Sequence, residues 1–175
     1  MPKKKVCLLG TSGVGKTSLV SRFVHSMFSE KYHTTVGVKI DKKIVTVDGA
    51  HVTLMIWDLA GVDDFQPLKT SQLRDSSGCL LVADGTRSGT LDRALDIHLT
   101  FAEATGGRPF VLALNKMDLR TQWEVSDKRI DRLTSEGWHI QLTSAKTGDG
   151  VEDAFAALAR LIMSDPPNDD DDDDS

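Results

Sequence analysis

A glycine-rich segment near the start of the chain contains the residues best suited to chemistry. Residues 10–17 read Gly-Thr-Ser-Gly-Val-Gly-Lys-Thr and fit the pattern G-x-x-x-x-G-K-[ST] in full. In this pattern the glycines allow a tight turn whose backbone N–H groups point at phosphate oxygens, and the lysine adds a positive charge. The threonine hydroxyl is a hard oxygen ligand that suits Mg²⁺. The segment therefore predicts a pocket for the phosphates of a nucleoside triphosphate.

Two later segments add to this chemistry. Asp58 ends a predicted strand and precedes Leu59-Ala60-Gly61. A carboxylate in that place would hold Mg²⁺ through a water, and Gly61 offers a backbone N–H that can approach the terminal phosphate. Asn115-Lys116-Met117-Asp118 follows another predicted strand. In that order after a glycine-rich phosphate loop, it is typical of a site that selects guanine.

Alternating strand and helix patterns position these segments. Strands are predicted at 4–9, 38–47, 51–58, 79–83, 110–115 and 139–143, and Asp48-Gly49 marks a hairpin between the second and third. Helices are predicted at 16–27, 63–75, 90–104, 126–136 and 151–163. This order predicts an α/β fold, with a six-stranded, mostly parallel sheet, one antiparallel edge strand and helices on both faces.

Composition places the chain among soluble, single-domain proteins. It has 175 residues, of which 39% are hydrophobic. The net charge of −5 arises from seven aspartates in the last eleven residues, so the remainder is near neutral and gives no case for a nucleic-acid partner. We expect residues 1–164 to form the domain and residues 165–175 a disordered acidic tail. Calcium binding is the alternative for the tail, but a solvated tail cannot preorganise ligands.

The motifs together resemble those of the Ras-like small GTPases, closest to the Ras/Rab branch, over residues 4–163. Thr34-Thr35-Val36-Gly37-Val38 is similar to the family's switch I, and Trp57-Asp58-Leu59-Ala60-Gly61 to its switch II entry. Residues 115–118 and Thr143-Ser144-Ala145-Lys146 match its two guanine motifs. The resemblance implies a P-loop NTPase G domain that binds GTP or GDP with Mg²⁺ and hydrolyses GTP to GDP and phosphate as a molecular switch.

The resemblance also assigns roles to individual residues. Metal ligands would be Thr17, Thr35 and Asp58, and the groups acting on the terminal phosphate would be Lys16, Thr35 and Gly61. The nucleotide itself would be bound by Ser12, Gly13, Val14, Gly15, Lys16, Thr17, Ser18, Phe28, Tyr32, Asn115, Lys116, Asp118, Ser144, Ala145 and Lys146.

Guanine selection by these residues has a physical basis. The carboxylate of Asp118 would accept both N–H donors on the N1/N2 edge of guanine, whereas adenine would leave that carboxylate unpaired. The Ala145 N–H would meet guanine O6. Phe28 would lie against the base, with a core phenylalanine as the alternative. Tyr32 would fold over the phosphates, with a surface tyrosine as the alternative.

The chain departs from the family pattern at Val62. The family carries there a glutamine that orients the attacking water, and valine can neither donate nor accept a hydrogen bond. We therefore expect very slow hydrolysis by the chain alone, with an activating partner supplying the missing group. The alternative is that Asp63, Asp64 or Gln66 orients the attacking water in place of that glutamine. A different class of function, a GTP-locked and nearly non-hydrolysing protein-binding module, stays open, whereas a small-molecule kinase does not explain residues 115–118.

Other features bear on partners and location. Ile40, Trp57 and Leu73 occupy places where Rab proteins usually show aromatic residues, so an ordinary Rab effector set is not expected. An effector, an exchange factor and a GTPase-activating protein are expected in general. We predict a monomeric, soluble, cytoplasmic protein without a lipid anchor, because no lipidation motif is visible and Cys7 and Cys79 lie in apolar runs typical of reduced thiols.

Overall fold

The computed structural model describes residues 1–29, 37–62 and 67–165. Its strands are β1 (Lys3–Leu9), β2 (Val38–Val47), β3 (Ala50–Leu59), β4 (Gly78–Asp84), β5 (Phe110–Asn115) and β6 (Ile140–Leu142). Its α-helices are α1 (Lys16–His25), α2 (Ser88–Thr105), α3 (Asp127–Ser135) and α4 (Val151–Ser164). Each predicted strand is present, with bounds that differ from the prediction by no more than a few residues.

One six-stranded sheet forms the centre of the fold, in the order β2-β3-β1-β4-β5-β6. Among the strands of the described residues, β2 and β3 are the one antiparallel pair, joined by the hairpin at Asp48-Gly49, and the other four pairs are parallel. Because parallel strands are covered on both faces, β4 is buried at all seven positions. The predicted sheet, including its antiparallel edge strand, is confirmed.

Two apolar clusters lie on opposite faces of the sheet. On one face, α1 and α4 pack on the sheet, and the rings of Phe23 and Phe155 stack with their centroids 4.0 Å apart. On the other face, α2 and α3 contribute Leu91, Phe101 and Leu133 to the second cluster. This arrangement confirms helices on both faces. It leaves the carboxyl ends of β1, β4 and β5 along one edge, where ligands bind in open α/β sheets.

The helix predicted over 63–75 is wrong for the part that the structure describes. Residues 67–75 contain only a short 3₁₀ turn, Thr70–Leu73. The Lys5 ammonium donates to the carbonyls of Gln72 and Arg74, both at 2.8 Å, and Asp75 has a φ of 61°. These bonds hold the chain at the end of the turn. The turn is bounded by extended residues on both sides, Lys69 with a ψ of 111° and Arg74 with a ψ of 138°, and Pro67, inside the predicted helix, has no N–H to donate.

Both cysteines lie in the central strands of the sheet. Cys7 and Cys79 face each other on β1 and β4, and both are free, fully buried thiols. Burial raises the pKa of both, which keeps them in the unreactive thiol form. Among the described residues, no helix has the length and apolar character that crossing a membrane requires.

Candidate functional site

The glycine-rich loop links the end of β1 to the start of α1. Gly13 and Gly15 have φ values of 79° and 102°, in the left-handed region that favours glycine. A Cβ on Gly15 would lie 2.3 Å from Nδ2 of Asn115, so only glycine fits between the loop and the end of β5. Val14 is fully buried and anchors the loop in the core. These constraints hold successive N–H groups in the curvature that binds anions.

Lys16, the first residue of α1, points its ammonium into this loop. Its side chain is buried, and Nζ donates to the carbonyls of Gly10 and Thr11, both at 3.1 Å. Burial lowers the pKa of Lys16 to about 8, with the negative charge of Asp58 opposing the shift. The described hydrogen bonds of this buried ammonium go to neutral carbonyls, and Asp58 offsets its charge only in part, so a bound polyanion would be stabilised by Lys16.

Thr17 and Asp58 form the second part of the site. The Thr17 hydroxyl donates to Oδ2 of Asp58 at 2.7 Å, while Oδ1 of the same buried carboxylate meets no hydrogen-bond donor among the described residues. Burial raises the pKa of Asp58, and the hydrogen bond from Thr17 and the charge of Lys16 oppose the shift. A hydroxyl beside a carboxylate with an unpaired oxygen is a donor set that fits Mg²⁺, which takes few protein ligands.

The segment after β3 lies directly on the phosphate loop. A Cβ on Gly61 would come within 2.6 Å of the backbone N and Cα of Ser12, and the Val62 N–H donates to the Gly10 carbonyl at 3.0 Å. The Val62 side chain is buried in the apolar cluster that includes Leu59 and Ile97. The backbone N–H of Val62 thus reaches the loop, whereas its side chain is apolar and buried and presents no polar group there.

A cleft of about 310 Å³ opens beside the loop. Its lining contains residues of the phosphate loop, of α1 and of both predicted guanine motifs: Gly13, Gly15, Ser18, Phe28, Ser29, Asn115, Lys116, Asp118, Leu119, Ala145 and Lys146. Phe28 is 36% exposed, which argues against the alternative of a core phenylalanine. A half-exposed ring, an aspartate and two lysines around one cleft suit a flat, polar heterocycle.

Hydrogen bonds fix the walls of this cleft to one another. Asn115 donates from Nδ2 to the Val14 carbonyl at 3.0 Å and accepts from the Thr143 hydroxyl at 3.1 Å. The Ser144 hydroxyl donates to Oδ1 of Asp118 at 2.8 Å, which orients the carboxylate. These contacts connect the phosphate loop to both guanine motifs, so the two halves of the predicted site form one unit.

Arg22 on α1 supports the far wall of the cleft. Its Nε donates to the Ala145 carbonyl at 2.8 Å, and its Nη2 donates to the carbonyl of Lys146. These bonds hold the loop that presents the Ala145 N–H. Sequence reasoning did not identify Arg22, because its partners lie more than a hundred positions away in the chain.

Asp84, at the carboxyl end of β4, is the centre of a polar cluster that sequence reasoning also missed. Its buried carboxylate accepts from the N–H and hydroxyl of Thr86, from Nζ of Lys116 at 2.8 Å and from Nε of Arg87 at 3.1 Å. Burial alone would raise the pKa of Asp84, but the bonds from Lys116, Thr86 and Arg87 outweigh it and lower the pKa. The sequence signal that could have identified Asp84 is a carboxylate at the end of a predicted parallel strand.

Trp123 locks the first guanine motif against the end of β4. Its indole N–H donates to the Lys116 carbonyl at 2.8 Å, and Lys116 holds a φ of 72° that costs energy in a non-glycine residue. A Cβ on Gly85 would lie 2.1 Å from the Trp123 ring. Trp123 thus fixes the backbone of the motif at Lys116.

Gly85→Ala should lower the free energy of unfolding by about 1–3 kcal/mol, since the rigid indole cannot yield to the added methyl without moving the Lys116 loop. The matched control is Gly89→Ala in α2, where an added Cβ has open space. That change should leave stability unaltered or raise it by about 0.5–1 kcal/mol. Urea unfolding of the two variants tests the contact, and equal stabilities would show that Trp123 does not occupy the space beside Gly85.

The structure brings together the predicted site residues that it describes. Those at the phosphate loop are Ser12, Gly13, Val14, Gly15, Lys16, Thr17, Ser18, Asp58 and Gly61, and those around the cleft are Phe28, Asn115, Lys116, Asp118, Ser144, Ala145 and Lys146. Tyr32, Thr35 and the proposed substitutes Asp63, Asp64 and Gln66 lie outside the described residues, and their roles stay predictions.

Comparison with known proteins agrees with this geometry. The model of the Ras family matches residues 5–164. Ras-related protein Rab-4A of Bos taurus is 37% identical over 163 residues, which are 91% of this chain and 74% of the relative. Ras-related protein Rab-7a of Dictyostelium discoideum is 38% identical over 163 residues (89% and 80%), and Rab-13 of Bos taurus is 34% identical over 161 residues (91% and 79%). The chain therefore belongs to the Ras family, in the Ras/Rab branch of the Ras-like small GTPases.

Proposed function

We propose that this protein is a guanine-nucleotide switch that binds GTP or GDP with Mg²⁺ and hydrolyses GTP slowly to GDP and phosphate. The observation that carries the proposal is the single unit formed by the phosphate loop and both guanine motifs, joined through Asn115. Membership of the Ras family supports the same function.

The base would be selected inside the cleft of 310 Å³. Asp118, oriented by Ser144, accepts from both N–H donors of the N1/N2 edge of guanine. The Ala145 N–H donates to O6, while Lys116 and Phe28 flank the ring. Adenine lacks these two donors, so Asp118 would keep the Ser144 hydroxyl but receive no hydrogen bond from the base, and the lost pairing costs enough to reject the wrong base.

The phosphates would occupy the curve of residues 10–17. Lys16 exchanges its carbonyl partners for phosphate oxygens, and the loop N–H groups and the start of α1 donate to the same oxygens. Thr17 and Asp58 would hold Mg²⁺, which neutralises charge on the outer phosphates. Thr35 completes the set by resemblance, with Tyr32 closing over the phosphates.

Hydrolysis would be limited by the orientation of water. A water molecule attacks the γ-phosphorus in line with the bond to GDP, and the residue at position 62 is placed by the family pattern to orient it. The buried, apolar Val62 cannot do so. Gly61 still offers its N–H next to Ser12, so the charge on the terminal phosphate remains stabilised while the water is not.

A GTP-locked binding module is the second candidate function, and Val62 is the observation that favours it. In that case the protein stays bound to GTP until a partner protein ends this state, and its function is to be recognised by an effector. Rab proteins usually show aromatic residues at positions 40, 57 and 73. Here Trp57 is aromatic and half-buried, Ile40 is exposed but aliphatic, and Leu73 is fully buried and adds nothing to the surface. The nucleotide that copurifies with the protein distinguishes the candidates, since GTP favours the module and GDP favours the enzyme.

Equilibrium binding of fluorescent guanine nucleotide to the purified, nucleotide-free chain tests the proposed site. With Mg²⁺ present, we expect GDP to bind at least about 10³-fold more tightly than ADP. Lys16→Met should weaken GDP binding by a comparable factor, because the buried ammonium is lost. Equal affinity for GDP and ADP would contradict the proposal.

A further inference from the structure

The polar cluster around Asp84 carries more positive charge than its carboxylate requires. Two cations, Lys116 and Arg87, share Oδ2, while Thr86 supplies two hydrogen bonds to Oδ1. The carboxylate is fully paired by Thr86 and Lys116 without the arginine. Arg87 is therefore the surplus cation of this cluster, and its side chain is 50% exposed whereas that of Asp84 is 1% exposed.

The surplus cation lies at the phosphate loop. Arg87 is bound to Asp84 through Nε, and its Nη2 donates to the Ser12 carbonyl at 3.3 Å. Ser12 is also the residue against which Gly61 packs, because a Cβ on Gly61 would lie within 2.6 Å of the Ser12 backbone. Arg87 and Gly61 thus approach one and the same loop residue, and Gly61 is the group assigned above to the terminal phosphate.

We propose that Arg87 is a catalytic residue whose guanidinium contacts the terminal phosphate of bound GTP from within the same chain. The proposal rests on the proposed function. Asp84 holds the guanidinium at Nε, which leaves its outer nitrogens to turn from the Ser12 carbonyl toward phosphate oxygens. A planar, always charged guanidinium with several donors suits this task better than an ammonium.

In the chemical step Arg87 acts only through its positive charge. The water oxygen forms a bond to the γ-phosphorus, and the bond from that phosphorus to the β–γ bridging oxygen breaks with its electron pair kept by GDP. The proton of the water ends on the released phosphate. Arg87 stays protonated throughout and offsets the negative charge on the transferring oxygens, and it takes no part in orienting the water.

Arg87→Ala, Arg87→Lys and the control Arg160→Ala, an exposed arginine on α4, separate this role from a structural one. Each is loaded with GTP and Mg²⁺, and single-turnover hydrolysis is followed until at least half of the wild-type GTP is converted. We expect Arg87→Ala to slow hydrolysis at least tenfold while its affinities for GTP and GDP change less than threefold. The hydrolysis rate of Arg87→Lys should lie between those of the wild type and Arg87→Ala, and the rate of Arg160→Ala should match the wild type.

A second readout does not depend on turnover. Aluminium fluoride beside GDP mimics the transferring phosphoryl group, and ¹⁹F NMR detects its capture. The wild type and Arg160→Ala should capture it without a partner protein, whereas Arg87→Ala should not. The role of Arg87 is overturned if Arg87→Ala hydrolyses GTP within twofold of the wild-type rate, or if its loss of rate is matched by an equal loss of GDP affinity. Either result leaves the proposed function standing. The role of Arg87 is also overturned if the wild type binds GTP but never converts it to GDP. If the wild type fails to bind guanine nucleotide, both this role and the proposed function are overturned.

Discussion

Val62→Gln should accelerate single-turnover GTP hydrolysis by about 10²-fold, the effect of restoring one preorganised group that acts in the transition state. The variant gains an amide that can both accept from and donate to the attacking water beside Gly61. Its affinity for GTP should change little, because the side chain contacts water and not the nucleotide. Chromatographic assay of GDP formed from preloaded GTP measures the change.

The structure also predicts a cost for this variant. Val62 is 6% exposed within an apolar cluster, so glutamine must either leave the cluster or bury its amide, at about 1–3 kcal/mol of stability. Val62→Ala is the matched control, since it removes the same contacts without adding a polar group. If Val62→Gln hydrolyses GTP no faster than Val62→Ala and wild type, another residue orients the water.

Asp118→Asn should weaken GDP binding by about 10³-fold, because two hydrogen bonds to an ionised carboxylate are lost and an amide donor is left facing the guanine donors. The same change should favour xanthine, whose C2 carbonyl can accept from the new amide. Titration calorimetry with the diphosphates of guanosine and xanthosine gives both affinities. The geometry behind the prediction is the bond from Ser144 that presents the Asp118 carboxylate to the cleft.

Asp131→Asn, an exposed aspartate on α3, is the control for charge alone. It should bind GDP as the wild type does. An Asp118→Asn variant that retained wild-type affinity and selectivity would show that the base lies elsewhere, even if the phosphate loop still binds the phosphates.

The phosphate loop, the guanine motifs and the sheet could be predicted from sequence because each depends on local patterns. The glycines at 13 and 15 set their own backbone, and the apolar runs of β4 and β5 predict buried strands whatever their neighbours are. Asp58 was found for the same reason, since it follows directly on a strand. Its neighbour in space, Thr17, belongs to the loop already recognised.

The contacts that sequence reasoning missed are those that join distant segments. The helix predicted after position 62 gives way to a 3₁₀ turn, and Lys5, from the first strand, donates to two carbonyls at the end of that turn. Asp84 becomes the centre of a charge cluster only when β4 and β5 lie side by side. Neither the Gly85–Trp123 contact nor the approach of Arg87 to Ser12 has a signature in the local sequence.

Single-turnover hydrolysis by the wild-type chain tests the central claim most directly. The purified protein is loaded with GTP and excess Mg²⁺, unbound nucleotide is removed, and GDP is followed by chromatography. With position 62 apolar, we predict stable GTP binding and a half-time longer than about ten hours, beyond the roughly half an hour typical of intrinsic hydrolysis by Ras. Conversion within minutes would contradict the account, because it would mean that another group already performs the task that Val62 cannot.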